Sequence, residues 1–368
     1  MGLASVRAED WLNLPLFVGQ RSLSYQWELI DGSTGIRKGL LTPLRDNPPQ
    51  LTHDTSATIS RRLSNVVLGV QDAALIDPIA DRIKLSMILG DRSRSSYPLG
   101  TYMICDEVQD VHSNGATMPL TFFDEMFIVD QQMETGFNGR GELADQAAAR
   151  LLDGLPIGEL IADATPQTVI NSWGAGTSKA KALMDMASLG GYFKPWFNHA
   201  NELRMIAAFE PADRLPDIDL DDPPRVYRDS IARSSDLLNA PNRFVRVSND
   251  TGATGDGPAP APVVGRYDVP ATAPHSIARR GFVVPDVDEA QLSSSSQAAA
   301  YTRAIGIQQT VYEKVELVTP PDPRHDSYQV IRWDGELWLE IGWALTLSPG
   351  GAMKHTLRRA YPGTGEEQ

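Results

Sequence analysis

The chain has 368 residues, with 47 acidic against 33 basic side chains and a formal net charge of −14. That balance excludes a nucleic-acid-binding face built on clustered Lys and Arg, but it permits a surface that DNA passes without sticking. Hydrophobic residues make up 42%, so the chain can bury a sizeable core without a disulfide framework or structural metal. At roughly 150 residues per domain, two or three domains are expected. The one cysteine, Cys105, has no internal partner and sits in a strand-like context as a small core residue. The N-terminus lacks the apolar stretch of a leader, and no apolar run approaches about 18 residues, so folding in a cytoplasm is expected.

In residues 23–31, Leu23, Tyr25, Trp27 and Leu29 alternate with polar neighbours, the period of a half-buried strand. Asp31-Gly32 turns the chain, and residues 35–41 return. Pro43, Pro48 and Pro49 then break it. Further strands are expected at 58–70, 82–89, 102–108 and 119–129, separated by turns such as Leu89-Gly-Asp91 and Ser113-Asn-Gly115. Many strands with short turns and no long helix imply an antiparallel sheet or small barrel.

Beyond residue 130 the composition shifts. Residues 142–153 predict an Ala-rich helix closed by Gly154, and 178–189 a second one, capped by Thr177 or Ser178 and ended by Gly190-Gly191. Residues 192–197 and 202–209 are expected to form a hairpin about Asn198–Asn201. Residues 210–229 carry Pro211, Pro216, Pro223 and Pro224 among Asp213, Asp217, Asp219, Asp221 and Asp222, and are expected to be a solvated acidic loop. Residues 250–274 are a second long loop. The last third returns to β, with strands at 244–248 and 281–284, a helix at 294–307, and Val315 and Leu317 alternating with polar neighbours. The strongest hairpin signal joins 328–333 to 336–343 through Asp334-Gly335. There Leu337, Leu339, Ile341 and Trp343 are expected inside, with Glu336, Trp338 and Glu340 outside.

No catalytic constellation emerges. The six histidines (His53, His112, His199, His275, His325 and His355) make no HExxH or CxxC-type spacing, so no metal site is expected. His53-Asp54 and His325-Asp326 are the best acid–base candidates, but neighbours on a strand point apart, and His325 follows a rigid Pro-rich turn that suggests the surface. There is no GxSxG elbow or phosphate loop, and Gly136–Gly141 is expected to be a flexible loop. The Asp217–Asp222 run lacks both the rigidity of a glycosidase pair and the pattern of an EF-hand. Trp338 is the aromatic side chain expected at an interface. No catalytic, cofactor-binding or metal-binding residue is assigned, and no enzyme activity is expected.

The order of several short segments is similar to that of siphophage minor tail proteins. These segments are Trp11 to Leu16, Leu40-Leu-Thr-Pro-Leu44, Thr58-Ile-Ser-Arg-Arg-Leu-Ser64, Asp81-Arg-Ile-Lys-Leu85 and Tyr97-Pro-Leu-Gly-Thr-Tyr102. Leu151-Leu-Asp-Gly-Leu155, Gly174-Ala-Gly-Thr-Ser178, Gly190-Gly-Tyr-Phe193, Ala240-Pro-Asn-Arg-Phe244 and Thr319-Pro-Pro-Asp-Pro-Arg-His325 continue it. The likeness extends over nearly the whole chain and resembles the tail-associated baseplate hub family.

That resemblance implies an α+β, predominantly β fold: two tail-tube-like antiparallel β-barrels with an α/β domain between them. The first barrel would occupy residues 1–130, the mixed domain 131–240, and the second barrel 241–368 with an inserted loop and helix. It implies a homotrimeric ring that joins a sixfold tail tube to a threefold tip around a DNA channel, in the virion tail. Implied partners are the distal tail ring protein, tail tube, tape measure protein and a central fibre or spike, with phage DNA passing through. A chain ending at Gln368 would leave wall cleavage and receptor binding to other tail-tip proteins. A receptor- or sugar-binding module is the alternative.

Overall fold

A computed structural model of the chain describes residues 22–44, 48–90, 95–107, 110–112, 115–221, 226, 231–248 and 262–362. The segment Trp11 to Leu16, the turn residues Asp91, Ser113 and Asn114, and parts of both Pro-rich loops lie outside these residues.

The first third is a run of antiparallel strands: β1 (Ser22–Asp31), β2 (Arg37–Leu41), β3 (Gln50–Asp54), β4 (Arg61–Gly69), β5 (Asp81–Gly90), β6 (Ser95–Glu107), β7 (Asp110–His112) and β8 (Gly115–Phe123). Helical turns α1 (Val70–Ala73) and α2 (Met126–Val129) interrupt and close it. The alternation in β1 does what its period implies: Trp27 and Leu29 are buried, while Leu23 and Tyr25 pack partly against the same core. Ile83, Leu85 and Met87 of β5 enter that core from the adjacent strand. Strand order runs β2-β1-β5-β6-β8-β4-β3, and past β2 the Leu44 N–H donates to the Val67 carbonyl at 2.8 Å. The chain thus reaches β4 from the opposite side and curls the sheet around its core.

Two details differ from the sequence pattern. β3 lies where prolines signalled only a break; its five residues put just Leu51 and His53 inward, too short an alternation to register. The strand expected over 119–129 ends at Phe123, because Asp124 Oδ1 accepts from the Met126 N–H at 3.0 Å and starts α2.

The middle holds β9 (Phe137–Asn138), α3 (Ala144–Leu152), β10 (Leu160–Ala162), β11 (Ser172–Trp173), α4 (Lys179–Gly190), β12 (Trp196–Phe197) and β13 (Leu203–Met205). Both helices obey their boundary signals. Gly154 and Gly191 take left-handed φ of +76° and +78°, and Ser178 Oγ accepts from the Lys181 N–H at 3.1 Å. Small residues Ala144, Ala147 and Ala148 on α3 let it share a core with Leu183, Met186 and Ala187 of α4. The Gly136–Gly141 segment, expected to be flexible, is pinned by β9–β11 pairing, with the Arg150 guanidinium 4.3 Å from the Phe137 ring centre.

Next come β14 (Ile218–Asp219), β15 (Ala232–Ser235), β16 (Arg243–Ser248), β17 (Val264–Asp268), α5 (Ile277–Arg280), β18 (Pro285–Ala290) and α6 (Ser295–Gln309). β17-β16-β18 form a separate sheet on which α6 packs closely. A Cβ on Gly265 would stand 2.1 Å from the Ala298 carbonyl oxygen. The strand expected at 281–284 begins instead at Pro285, since Gly281 closes α5 at φ +75°.

The acidic stretch is a correction. Asp217 to Asp221 reads Asp-Ile-Asp-Leu-Asp, a period of two, and Ile218 and Leu220 are buried. β14 therefore docks in parallel on β20 (Val330–Trp333). Asp217 accepts from the Val330 N–H at 2.7 Å, and Asp221 accepts from the Asp334 and Gly335 N–H groups at 2.8 and 2.9 Å.

The remaining strands are β19 (Glu313–Thr319), β21 (Glu336–Thr346) and β22 (Met353–Arg359). Asp334 and Gly335, at φ +55° and +70°, make the two-residue turn expected between β20 and β21. β21 pairs with β20 over its first half, with β3 over its second, and with β22 along its other side. Among the described residues this gives one fourteen-stranded sheet fused through β3 and β21.

The expected inside and outside of β21 hold only in part. Leu339 and Trp343 are buried and Leu337 and Ile341 half-buried, but Trp338 and Glu340 are also fully buried. Both faces are covered: Trp338 meets Ile218, Val315, Ile331 and Leu357, while Leu339 meets Phe193, Trp196 and Tyr328. Trp338 is therefore a core residue rather than an interface one. A bulge between Glu340 and Gly342 re-aims the strand so that Trp343 and Leu345 enter the first core.

Two outcomes test this packing. Gly265→Ala should lower stability by about 1–3 kcal/mol through overpacking against α6, read from the urea midpoint at unchanged slope. His275 is buried, stacks on Tyr312 at 4.6 Å, and has no partner for either ring nitrogen; burial, and then Arg280, push it down to about 4. Below the unfolded-chain value of about 6.5 the unfolded form takes a proton that the folded form refuses, so acid favours unfolding. His275→Phe should accordingly gain about 2 kcal/mol more at pH 5 than at pH 7.5; equal gains at both pH values would refute this assignment.

Candidate functional site

The seam where β3 meets β21 is filled by two buried polar clusters. In the first, Arg61 of β4 donates from Nη2 to Asp326 Oδ1 at 2.6 Å, and Trp196 of β12 donates its indole N–H to the same oxygen at 2.9 Å. His199 stands 3.8 Å from the other oxygen. One carboxylate thus ties the first strand group, the middle of the chain and the 320s turn together. The Arg61 N–H also donates to Asp124 at 2.9 Å, and burial pushes that carboxyl up to about 6 despite its hydrogen bonds.

His53 of β3 lies beside this cluster. Its ring stacks on Trp343 at 5.5 Å and its Nε2 is 2.5 Å from Ser327 Oγ. Burial, then the Arg61 charge, push the imidazole down to about 3 and keep it neutral. A Ser–His contact is a fragment of a nucleophile–base pair, but Nδ1 has no carboxylate to orient the ring and Ser327 is buried. The contact fastens β3 to the 320s turn.

In the second cluster Glu340 of β21 is shared by two imidazoles. His325 Nδ1 lies 2.9 Å from Oε2 and His355 Nδ1 2.5 Å from Oε1, with ring centres 4.2 Å apart. All three side chains have 0% exposure. Burial opposes charge on Glu340, yet the two imidazoles more than offset it and hold the carboxyl down at about 2. For His325 burial likewise opposes charge, and Glu340 overcomes it, raising that ring. Burial and the charge of His325 lower His355. The neighbouring Asp322–Arg324 pair is closed at 2.6 Å.

His325 was expected at the surface and is buried instead, because the Pro-rich turn folds inward beneath β21. The rule that neighbours point apart does hold: His325 goes to Glu340 and Asp326 to Arg61. The same is true of His53, inside, and Asp54, which accepts from the Ser56 N–H at 2.8 Å in a surface turn. Glu340 was missed; its signal was a carboxylate standing mid-strand between Leu339 and Ile341.

A cleft of about 750 Å³ opens beside the seam, lined by Thr52, Asp54, Lys194, Gln308, Lys354 and Thr356. Its cations are engaged: Lys194 donates to the Ser56 carbonyl at 2.7 Å, and Lys354 pairs with Glu316 at 2.6 Å.

No protein-family model matches the sequence, and no curated protein matches it. Solved structures do match in shape. A tail protein from Neisseria meningitidis MC58 superposes with a TM-score of 0.61 at 13% identity, covering 92% of this chain and 100% of that one. The 43 kDa tail protein of prophage MuSo2 from Shewanella oneidensis gives 0.59 at 12% identity, covering 91% and 98%. A prophage tail protein from Listeria monocytogenes EGD-e gives 0.54 at 8% identity, covering 92% and 95%. The fold is that of phage tail proteins. The likeness extends over both strand groups and the material between them, so the seam lies inside the shared architecture of the tail-protein fold.

The seam's energetics can be measured. Asp326→Asn leaves the Arg61 charge buried without its counter-ion and should cost about 3–5 kcal/mol, whereas the double variant Arg61→Met with Asp326→Asn should recover part of the loss. Urea unfolding of Asp326→Asn, Arg61→Met and the double variant decides; additive losses would mean that the pair does not hold the seam.

Proposed function

We propose that the chain is a structural, non-enzymatic subunit of a phage tail tip: a baseplate hub that closes as a homotrimeric ring around the DNA channel. The observation that carries this reading is the seam, which fuses two curled strand groups into one continuous sheet. A rigid pair of tube-like units per chain lets three chains present six units to a sixfold tube. On this reading residues 1–130 and 241–368 supply the two units and 131–240 the α/β piece between, with β14 and β15 lent to the second unit by their pairing. Partners would be the distal tail ring, the tail tube, the tape measure protein and a central fibre or spike. The net charge of −14 suits a wall past which a polyanion must slide, although salt confines that repulsion to about 8 Å.

A closed ring with one kind of contact needs two different sticky surfaces on each chain. Two apolar patches fit that need. The segment after β4 runs beside the β1–β2 hairpin, held by Thr42 N–H to Asp72 at one end and Gly32 N–H to the Ala80 carbonyl at the other. It leaves Leu40, Val70, Leu75 and Ile79 exposed there. Far away in sequence, Leu237, Leu238, Phe282 and Val283 are exposed around α5, where Arg280 donates to the Leu237 carbonyl. Exposed apolar groups in such clusters mark contact surfaces.

Sedimentation of the purified chain, or a reconstruction of the tail tip, tests the ring. Three copies are expected, and Leu75→Asp with Ile79→Asp should leave a folded chain that no longer assembles. A persistent monomer in the tip, or six copies, would overturn the proposal.

A further inference from the structure

Glu340 has no exposure, and each of its oxygens faces a histidine Nδ1: His325 lies 2.9 Å from Oε2 and His355 2.5 Å from Oε1. The far side of the His355 ring is held by the Thr319 hydroxyl, 2.8 Å from Nε2. The two rings stand 4.2 Å apart around one buried carboxylate, so burial, which disfavours every charged form, is in conflict with the carboxylate's need for a counter-charge.

A divalent metal removes that conflict by keeping both rings neutral. The two Nδ1 atoms and the Glu340 carboxylate already lie within 4.8 Å of one another and are wholly buried. We propose that His325, Glu340 and His355 bind one transition-metal ion of the zinc class as a structural site within the second strand group. Two imidazoles and a carboxylate, bidentate in place of a fourth side chain, suit that ion's preference for nitrogen and oxygen donors. Metal–ligand lengths of about 2.0–2.2 Å require the rings to draw back from the carboxylate by a few tenths of an ångström. Thr319 would then do what outer partners of metal-bound histidines do, fixing the tautomer of His355 through its other nitrogen. The ligands stand fifteen residues apart and come from the 320s turn, β21 and β22, so no short motif records them. With no exposed atom in the cluster, the ion has to enter as the chain folds.

The test is to refold the full chain from denaturant with EDTA or with zinc and measure bound metal and the thermal midpoint. About one zinc per chain and a midpoint several degrees above the chelated form are expected. Cobalt(II) in place of zinc should give the visible absorption of a four-coordinate site. Thr319→Val should weaken metal binding by about tenfold or more. His355→Gln should abolish it, and if that variant does not fold, the two wild-type preparations still decide. Zinc-refolded chain that holds no metal and melts with the chelated form would overturn the proposal, as would metal retained equally by a folded His355→Gln. Neither outcome depends on the trimeric ring, since both are read on the chain whatever its assembly state.

Discussion

Strand β21 belongs to both strand groups of the large sheet at once, and most of the structure answers to that demand. Its first half is flanked by β20 and its second by β3, so neither strand group can move without bending a strand held by the other. A strand used this way loses its solvent face. Trp338 and Leu339, adjacent and therefore pointing oppositely, both end in cores. The bulge beside Gly342 is the local device that makes the double membership possible, because it turns the strand as it passes from one strand group to the other.

Covering both faces has a cost at Glu340, which is mid-strand and cannot reach water. Its charge is retained only because His325 and His355 arrive from two other segments. The same logic governs Arg61, whose guanidinium is 1% exposed and depends on Asp326. Buried ionic groups of this kind are weak sources of net stability compared with apolar packing, but they are unforgiving of misplacement. They therefore act mainly on specificity: a sheet join shifted by one residue would strand a charge as well as exchange its faces. In this chain the polar seam fixes how the two strand groups meet, while Trp27, Leu63, Ile83 and their neighbours supply the burial that makes them fold.

The elements legible in the sequence were those whose signal is local. The alternation in β1 and β5, the glycines that end α3 and α4, the Ser178 cap and the Asp334-Gly335 turn each follow from a few consecutive residues and their backbone preferences. What escaped depends on partners distant in the chain. Periodicity could not assign the faces of β21, because an even-numbered tryptophan looks exposed until β14 covers it. The Asp217–Asp221 stretch read as a loop because its prolines and acids outweighed two apolar residues; its aspartates in fact cap the backbone of a neighbouring hairpin. His325 read as surface because a Pro-rich turn is usually outside. The polar seam was invisible for the same reason, its members being spread from His53 to His355.

Sequence identities of 8–13% over more than nine-tenths of the chain fit this division of labour. A curled sheet around an apolar core tolerates many side-chain choices provided volume and pattern are kept, so its sequence can drift far while its shape stays. What has to be kept for that shape is the angle at which the two strand groups meet. Fusing the groups through one shared strand sets that angle by backbone hydrogen bonds, which are indifferent to residue identity. The buried polar groups then penalise every alternative register. A chain built this way can lose nearly all recognisable motifs and still present the same two strand groups in the same relation.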